Sequence, residues 1–99
     1  MVVIVTGPAE VDLEHIADYI AAHNPIRALT FVRGLRDKCE ALADAPRAYP
    51  LVPRYEHFGI RRRPYGDYLI FYRIGVDAID IVHILHGAQN YEPILFPEE

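Results

Sequence analysis

The sequence has little of several features that define common classes of protein. One cysteine among 99 residues, Cys39, permits no internal disulfide, so a reducing cytoplasm is the expected compartment. The N-terminal MVVIVTG is too short and too poor in basic residues for a signal peptide or a membrane span. Glycine-rich phosphate loops and a Ser-His-Asp order are absent as well. We therefore expect one small domain with no membrane contact and no cofactor.

Positive charge is scarce, and it is unevenly distributed. Ten Lys and Arg residues against 14 Asp and Glu give a net charge of -4, so direct DNA binding is not expected. The basic residues between positions 47 and 73 are Arg47, Arg54, Arg61, Arg62, Arg63 and Arg73. Positions 74 to 99 carry no Lys or Arg, and their acidic residues are Asp77, Asp80, Glu92, Glu98 and Glu99. The molecule should be electrically two-sided, with the basic side as the candidate binding face.

The first half of the chain predicts a strand and two helices. Residues Val2 to Thr6 are mostly β-branched and favour a strand. Gly7 and Pro8 then stand where a helix N-cap and first helical residue are expected, and an apolar stripe follows at helical spacing. A second capping pair, Asn24 and Pro25, opens a longer helix. Because one or two residues separate the helices, they should fold back as a hairpin facing a common sheet.

The second half changes to a strand period. The segments GIRRRP, YLIFYRI and AIDIVHIL are separated by turn residues, which predicts three strands joined by tight hairpins. Together with the first strand they predict a single α+β domain over residues 1–99 of order β-α-α-β-β-β. We expect an antiparallel sheet with the N-terminal helical hairpin packed on one face. The apolar ILF of the C-terminal tail should dock on this domain.

The arginine triplet is the first candidate binding element. Alternation along a strand places Arg61 and Arg63 on one face and Arg62 on the other, and guanidinium groups suit the carboxylates of a protein partner. A solvated strand whose charges discourage edge pairing explains the triplet equally well. Arg73 on the next strand belongs to the same basic stretch.

Histidines and tyrosines could supply an acid and a base for RNA cleavage, with an arginine stabilising the extra phosphate charge. Packing within the sheet explains most of them better, since His83 lies in an apolar strand. No metal site is expected, because His83 and His86 point to opposite faces of that strand. Cys39 lies on the apolar stripe of the second helix and should be a core residue. His86 and Tyr91 remain candidates for contacting a partner.

Four segments carry a resemblance to a known family: PAEVDLEHIADYIA, LADAP, GIRRRPYGDYLIFYRI and IDIVHILHGAQNYE. In this order, over nearly the whole chain, they resemble the ParE branch of the RelE/ParE superfamily of bacterial toxins, known also as plasmid stabilisation proteins. The resemblance implies a toxin that forms a hetero-oligomer with a ParD-like antitoxin. That antitoxin would bind operator DNA through a ribbon-helix-helix dimer and wrap the toxin with its C-terminal segment. The resemblance also implies DNA gyrase as the target, with growth arrest caused by binding rather than by catalysis.

Two alternatives stay open beside the gyrase inhibitor. The first is the rival branch of the superfamily, which resembles RelE, a ribosome-dependent messenger RNA endoribonuclease on the same fold, but Leu69 and Gly87 stand where RelE-like chains tend to have arginine. The other alternative is a toxin fold with little residual toxicity, since Gln89 and Asn90 replace the Arg-Asp common in the ParE branch. The residues expected to contact the antitoxin or the target are Arg61, Arg62, Arg63, Arg73, His86 and Tyr91.

Overall fold

The chain folds in the predicted order β-α-α-β-β-β and adds a short C-terminal helix. The computed structural model describes residues 1–97. Glu98 and Glu99, counted above in the acidic C-terminal segment, lie outside the described residues. The elements are β1 (Val2–Val5), α1 (Gly7–Ala21), α2 (Pro25–Ala41), a 3-10 turn (Glu56–Phe58), β2 (Ile60–Tyr65), β3 (Tyr68–Ile74), β4 (Ala78–His86) and α3 (Glu92–Leu95).

The two long helices begin at side-chain caps. Asn24 caps α2 as predicted, because its Oδ1 accepts a hydrogen bond from the Arg27 N–H at 3.0 Å. The predicted cap of α1 at Gly7 is wrong by one residue. Thr6 is the N-cap, since its hydroxyl oxygen accepts from the Ala9 N–H, a bond that glycine has no side chain to make. The first strand therefore ends at Val5, one residue earlier than predicted, and Thr6 lies outside it.

The sheet is mixed, with strand order β1-β4-β3-β2. The expected antiparallel pairing holds for β2 with β3 and for β3 with β4. The expectation needs one correction at the first strand, because β1 pairs parallel to β4, from Val2 opposite Ala78 to Val5 opposite Ile81. β4 is reached from β2 after two hairpin reversals, so it runs in the same direction as β2 and, in this fold, as β1.

Apolar side chains pack on both faces of the sheet. On the helix side, the apolar stripes of α1 and α2 meet strand residues around the buried side chains of Ile70, Tyr72 and Ile81, as predicted. The other side is covered by the segment before β2 and by the C-terminal tail. Phe96 is only 3% exposed, and its ring stacks on Tyr55 at 4.2 Å, so the ILF tail docks on the domain.

Candidate partner-binding groove

An open groove runs beside α1. Its first part, of about 350 Å³, lies between α1, the end of β4 and the tail, and is lined by Asp12, His15, Ile16, Tyr19, Tyr68, His83, Ile84, Leu85, His86, Gln89 and Ile94. Its second part, of about 480 Å³, lies between the helical hairpin and the β2–β3 turn, and is lined by Tyr19, Ile20, Arg27, Phe31, Gly66, Asp67, Tyr68 and His86. Because Tyr19, Tyr68 and His86 line both parts, the two adjoin. We call the whole the α1 groove.

Asp12 fixes α1 against the end of β4. β1 stops at Val5, so β4 continues beyond it with an open edge. The Oδ2 atom of Asp12 accepts a hydrogen bond from the Ile84 N–H at 2.8 Å and lies 2.7 Å from His83 Nδ1. The carboxylate thus satisfies a strand N–H that has lost its strand partner, and it orients the His83 ring at the floor of the groove.

An aromatic wall separates the two parts of the groove. The Tyr68 ring contacts Phe31 at 5.6 Å and His86 at 5.2 Å between centroids. Burial raises the pKa of the Tyr68 hydroxyl, so this phenol stays protonated at neutral pH and can donate a hydrogen bond. His86 Nδ1 accepts from the Ala88 N–H at 3.1 Å, so neutral His86 carries its proton on Nε2. The wall therefore combines apolar rings with two hydrogen-bond donors.

The arginine triplet lies on β2, and its side chains alternate as predicted. Arg61 Nη1 donates to the Tyr49 carbonyl at 2.7 Å, and the Arg63 guanidinium lies 4.8 Å from the centre of the Tyr49 ring. Arg62 points to the other face, where its Nη1 donates to the Tyr91 hydroxyl at 2.7 Å. All three arginines are half-buried. They are held by contacts within the chain rather than freely solvated.

The structure does not bring the predicted site residues into one place. His86 lies in the α1 groove, whereas Arg62 and Tyr91 pair on the face of the sheet away from the helices, where Tyr91 packs on Phe71 at 4.8 Å. Arg61 and Arg63 lie beside Tyr49 on the helix side of β2. Arg73 is exposed on β3, opposite Ile60 and Asp80 in the two neighbouring strands.

Three groove residues on α1 were missed by the sequence reasoning, which assigned the polar side of this helix to solvent. They are Asp12, His15 and Tyr19. Their spacing of i, i+3 and i+7 places them on one helix face and was the available signal. The spacing could not show that β4 extends past β1 and meets that face.

Three further features of residues 1–97 concern metal binding, the single cysteine and membrane-spanning helices. Within residues 1–97, no group of three His, Cys, Asp or Glu side chains is placed to hold a metal ion. Cys39 is 1% exposed, and burial raises the pKa of its thiol to about 11, so it is protonated at neutral pH and a poor nucleophile. No helix within residues 1–97 is long and apolar enough to cross a membrane.

A helical hairpin on a four-stranded mixed sheet, with an open groove along the first helix, defines the chain as a small α+β domain. A family model described as ParE toxin of type II toxin-antitoxin system, parDE, matches residues 3–91. The chain belongs to this family of ParE toxins.

A solved structure supports the same fold. The chain is similar to one titled "Chromosomal ParDE TA system from P. aeruginosa", with a TM-score of 0.74 and 22% sequence identity. The alignment covers 87% of this chain and 95% of that chain. A search of curated proteins gave no match.

Proposed function

We propose that this chain is the toxin of a parDE-type pair and that a ParD-like antitoxin neutralises it by binding the α1 groove. The observation that carries the proposal is the groove itself, whose lining combines apolar side chains with imidazole, phenol, guanidinium and carboxylate groups. Tyr19, which lines both parts of the groove, is 73% exposed, and Ile26, which precedes the groove residue Arg27 on α2, is 79% exposed. Large apolar side chains exposed next to a groove suit an amphipathic helical segment of a protein partner.

Electrostatics favour an acidic partner segment. Arg27 lies at the groove, and the exposed Arg73 lies on β3. Arg61 and Arg63 are held in fixed orientations by Tyr49, so they lose little side-chain entropy when a carboxylate binds them. We infer that antitoxin carboxylates reach these arginines while apolar residues fill the groove.

We further propose that the free toxin inhibits DNA gyrase by binding, without turnover of its own. A ribonuclease would need Tyr91 to be free to act and cationic side chains to stabilise the phosphate. The Tyr91 hydroxyl is already bonded to Arg62, and its ring packs on Phe71. The nearby Arg54 forms an ion pair with Glu92 at 2.6 Å, which leaves Arg62 as the guanidinium beside Tyr91. These contacts support inhibition by binding rather than by catalysis.

Purified toxin tests the target. We expect it to inhibit supercoiling by gyrase, and its ParD-like antitoxin to restore supercoiling. A Tyr91→Phe variant should inhibit about equally, because the hydroxyl that it loses is already bonded to Arg62 within the chain and the ring that packs on Phe71 is kept. Unchanged supercoiling at a stoichiometric excess of folded toxin would reject gyrase as the target. Codon-linked cleavage of translated messages in primer extension, abolished by Tyr91→Phe, would establish the ribonuclease instead.

The groove can be tested separately by calorimetric titration of antitoxin into toxin variants. Tyr19→Ala removes an exposed groove side chain at little cost to the fold, and we expect it to weaken binding about tenfold or more, or about 1.4 kcal/mol. Val76→Ala is the matched control, since Val76 is exposed and lines neither part of the groove. Equal affinity for both variants would place the antitoxin elsewhere.

A further inference from the structure

The outer edge of β2 is protected against pairing with another strand. The segment before β2 runs alongside it, with the Val52 N–H donating to the Ile60 carbonyl at 2.9 Å and the Arg62 N–H donating to the Pro50 carbonyl at 3.0 Å. β2 also contains a proline at position 64 and the arginine triplet. Covering segments, proline and charge are the usual means by which proteins block an edge strand.

The exposed end of β4 beyond β1 is protected too, by side chains. Thr6 Oγ1 donates to the Ile81 carbonyl at 2.7 Å, and Asp12 accepts from the Ile84 N–H at 2.8 Å. Thr6 and Asp12, at the start of α1, therefore supply hydrogen-bond partners to the Ile81 carbonyl and the Ile84 N–H of β4 at the point where β1 ends.

Within residues 1–97, none of these protections is present at the outer edge of β1. Its sequence, VVIV, contains no charge, proline or glycine, and β1 is the last strand of the sheet. Val2 is 64% exposed and Ile4 is 46% exposed. The exit of the strand is also open, since a side chain added at Gly7 would meet nothing within 4 Å.

The hydrogen-bonding groups on that edge can be assigned from the pairing with β4. The N–H groups of Val2 and Thr6 donate to Asp77 and Ile81, so the even-numbered residues face β4. Because successive residues of a strand alternate, the N–H and C=O groups of Val3 and Val5 point away from the sheet. No other segment of residues 1–97 pairs with these groups, and they form a template that is symmetric about Ile4.

We propose that β1 pairs antiparallel with β1 of a second copy of this chain, about a two-fold axis through Ile4. In this register Val3 and Val5 of each copy exchange hydrogen bonds with Val5 and Val3 of the other, and the two sheets become one. Ile4 faces Ile4 of the second copy in a non-hydrogen-bonded pair. A second copy fits because the edge is complementary to itself and brings no charges into opposition. No β1 residue lines the α1 groove, so this dimer goes beyond the proposed function and leaves the groove accessible.

Site-directed crosslinking tests this register. Antiparallel partners in a non-hydrogen-bonded pair have Cα atoms about 4.5 Å apart, which a disulfide can span. Ile4→Cys should therefore form a disulfide-linked dimer under mild oxidation, and the buried Cys39 should contribute little background. Val2→Cys is the matched control, on the same strand but opposite Thr6 of the second copy. Equal crosslinking of both variants, or none in Ile4→Cys, would overturn the register.

Light scattering of the free toxin gives a second measurement that needs no new cysteine. We expect a dimer mass for the wild-type chain and a monomer for Ile4→Lys, which places two ammonium groups together at the axis. Ile26→Lys, the same change at a more exposed isoleucine on α2, should remain dimeric, and circular dichroism should show all three chains folded. A monomeric wild-type chain at every concentration would overturn the proposal. So would protection of the Val3 and Val5 amides from exchange only when the antitoxin is added.

Discussion

At the scale of single residues, the buried thiol of Cys39 makes the stability of the fold depend on pH. Its thiol has an ordinary pKa of 9.0, and burial raises it to about 11 in the folded chain. At pH values below the ordinary pKa both states are protonated, and the thiol adds no pH dependence. Between the two pKa values the unfolded chain loses the proton while the folded chain keeps it, so stability falls as pH rises.

We therefore predict that the free energy of unfolding declines in alkali more steeply in the wild-type chain than in Cys39→Ala. The thiol accounts for a difference in slope that approaches about 1.4 kcal/mol per pH unit. Urea titrations at several pH values between the two pKa values measure it. Tyr68 and Tyr72, whose pKa values burial also raises, act in the same direction in both proteins and cancel in the comparison. Parallel slopes would contradict the assignment to Cys39.

At the scale of elements, Gly34 sets the distance between α2 and the β2–β3 hairpin. The Tyr65 hydroxyl occupies the space where a side chain at Gly34 would begin, and the Tyr65 Cζ atom lies 2.9 Å from that position. Tyr65 in turn packs against Phe31 at 5.3 Å. The glycine thus lets the end of β2 close onto the helix.

Gly34→Ala sets two effects against each other. Alanine gains about 1 kcal/mol in helix propensity, whereas overpacking against Tyr65 costs about 1–3 kcal/mol. We predict a net loss of stability in thermal or urea unfolding, because the blocking atoms belong to an aromatic ring held by Phe31. Combining Gly34→Ala with Tyr65→Phe removes the hydroxyl and should recover part of the loss. A more stable single variant would show that the hairpin moves away freely.

Local elements were predictable because their signals are local. The Asn24 cap followed from a side chain and a proline that act on their immediate neighbours. The hairpins followed from turn residues in the same way. Even the error at Gly7 was local, since Thr6 stands directly before it and supplies the hydroxyl that glycine lacks.

The strand with which β1 pairs, and the direction of that pairing, depend on long-range packing, for which the sequence carries no local signal. The same limit applies to the irregularity in β4, where the pairing with β3 shifts between Phe71 and Tyr72. Because of that shift, Ile81 and Ile84 both enter the helix-side core although they are three residues apart. Strict alternation would have placed them on opposite faces.

The candidate site shows the same division. His86 on β4 was predicted because a histidine is conspicuous in an apolar strand, and it lines the groove, whereas the predicted arginines of β2 do not. Asp12 was missed, because it accepts the hydrogen bond of the Ile84 N–H only where β4 extends past the end of β1. There the Ile84 N–H has no strand partner. A groove made by two elements of unequal length cannot be inferred from either element alone.

At the scale of the whole molecule, the uneven distribution of charge can attract a partner before the two proteins touch. The segment from residue 47 to residue 73 is basic within a chain of net charge -4, and Arg73 is its exposed representative on β3. Long-range attraction of this kind raises the rate of association with an acidic partner more than it slows dissociation. If an acidic antitoxin segment approaches this side, Arg73 should act mainly on that rate.

Arg73→Glu should therefore slow association with the antitoxin several-fold at low ionic strength, with little change in dissociation. The effect should fade as salt shortens the Debye length from about 30 Å at 0.01 M to about 8 Å at physiological ionic strength. Stopped-flow or surface-based kinetics at several salt concentrations measure both rates. Arg33→Glu, an exposed change of the same charge on α2, separates local steering from net charge. If both variants slow association equally, the overall charge of the toxin is responsible and the basic stretch gives no direction to the encounter.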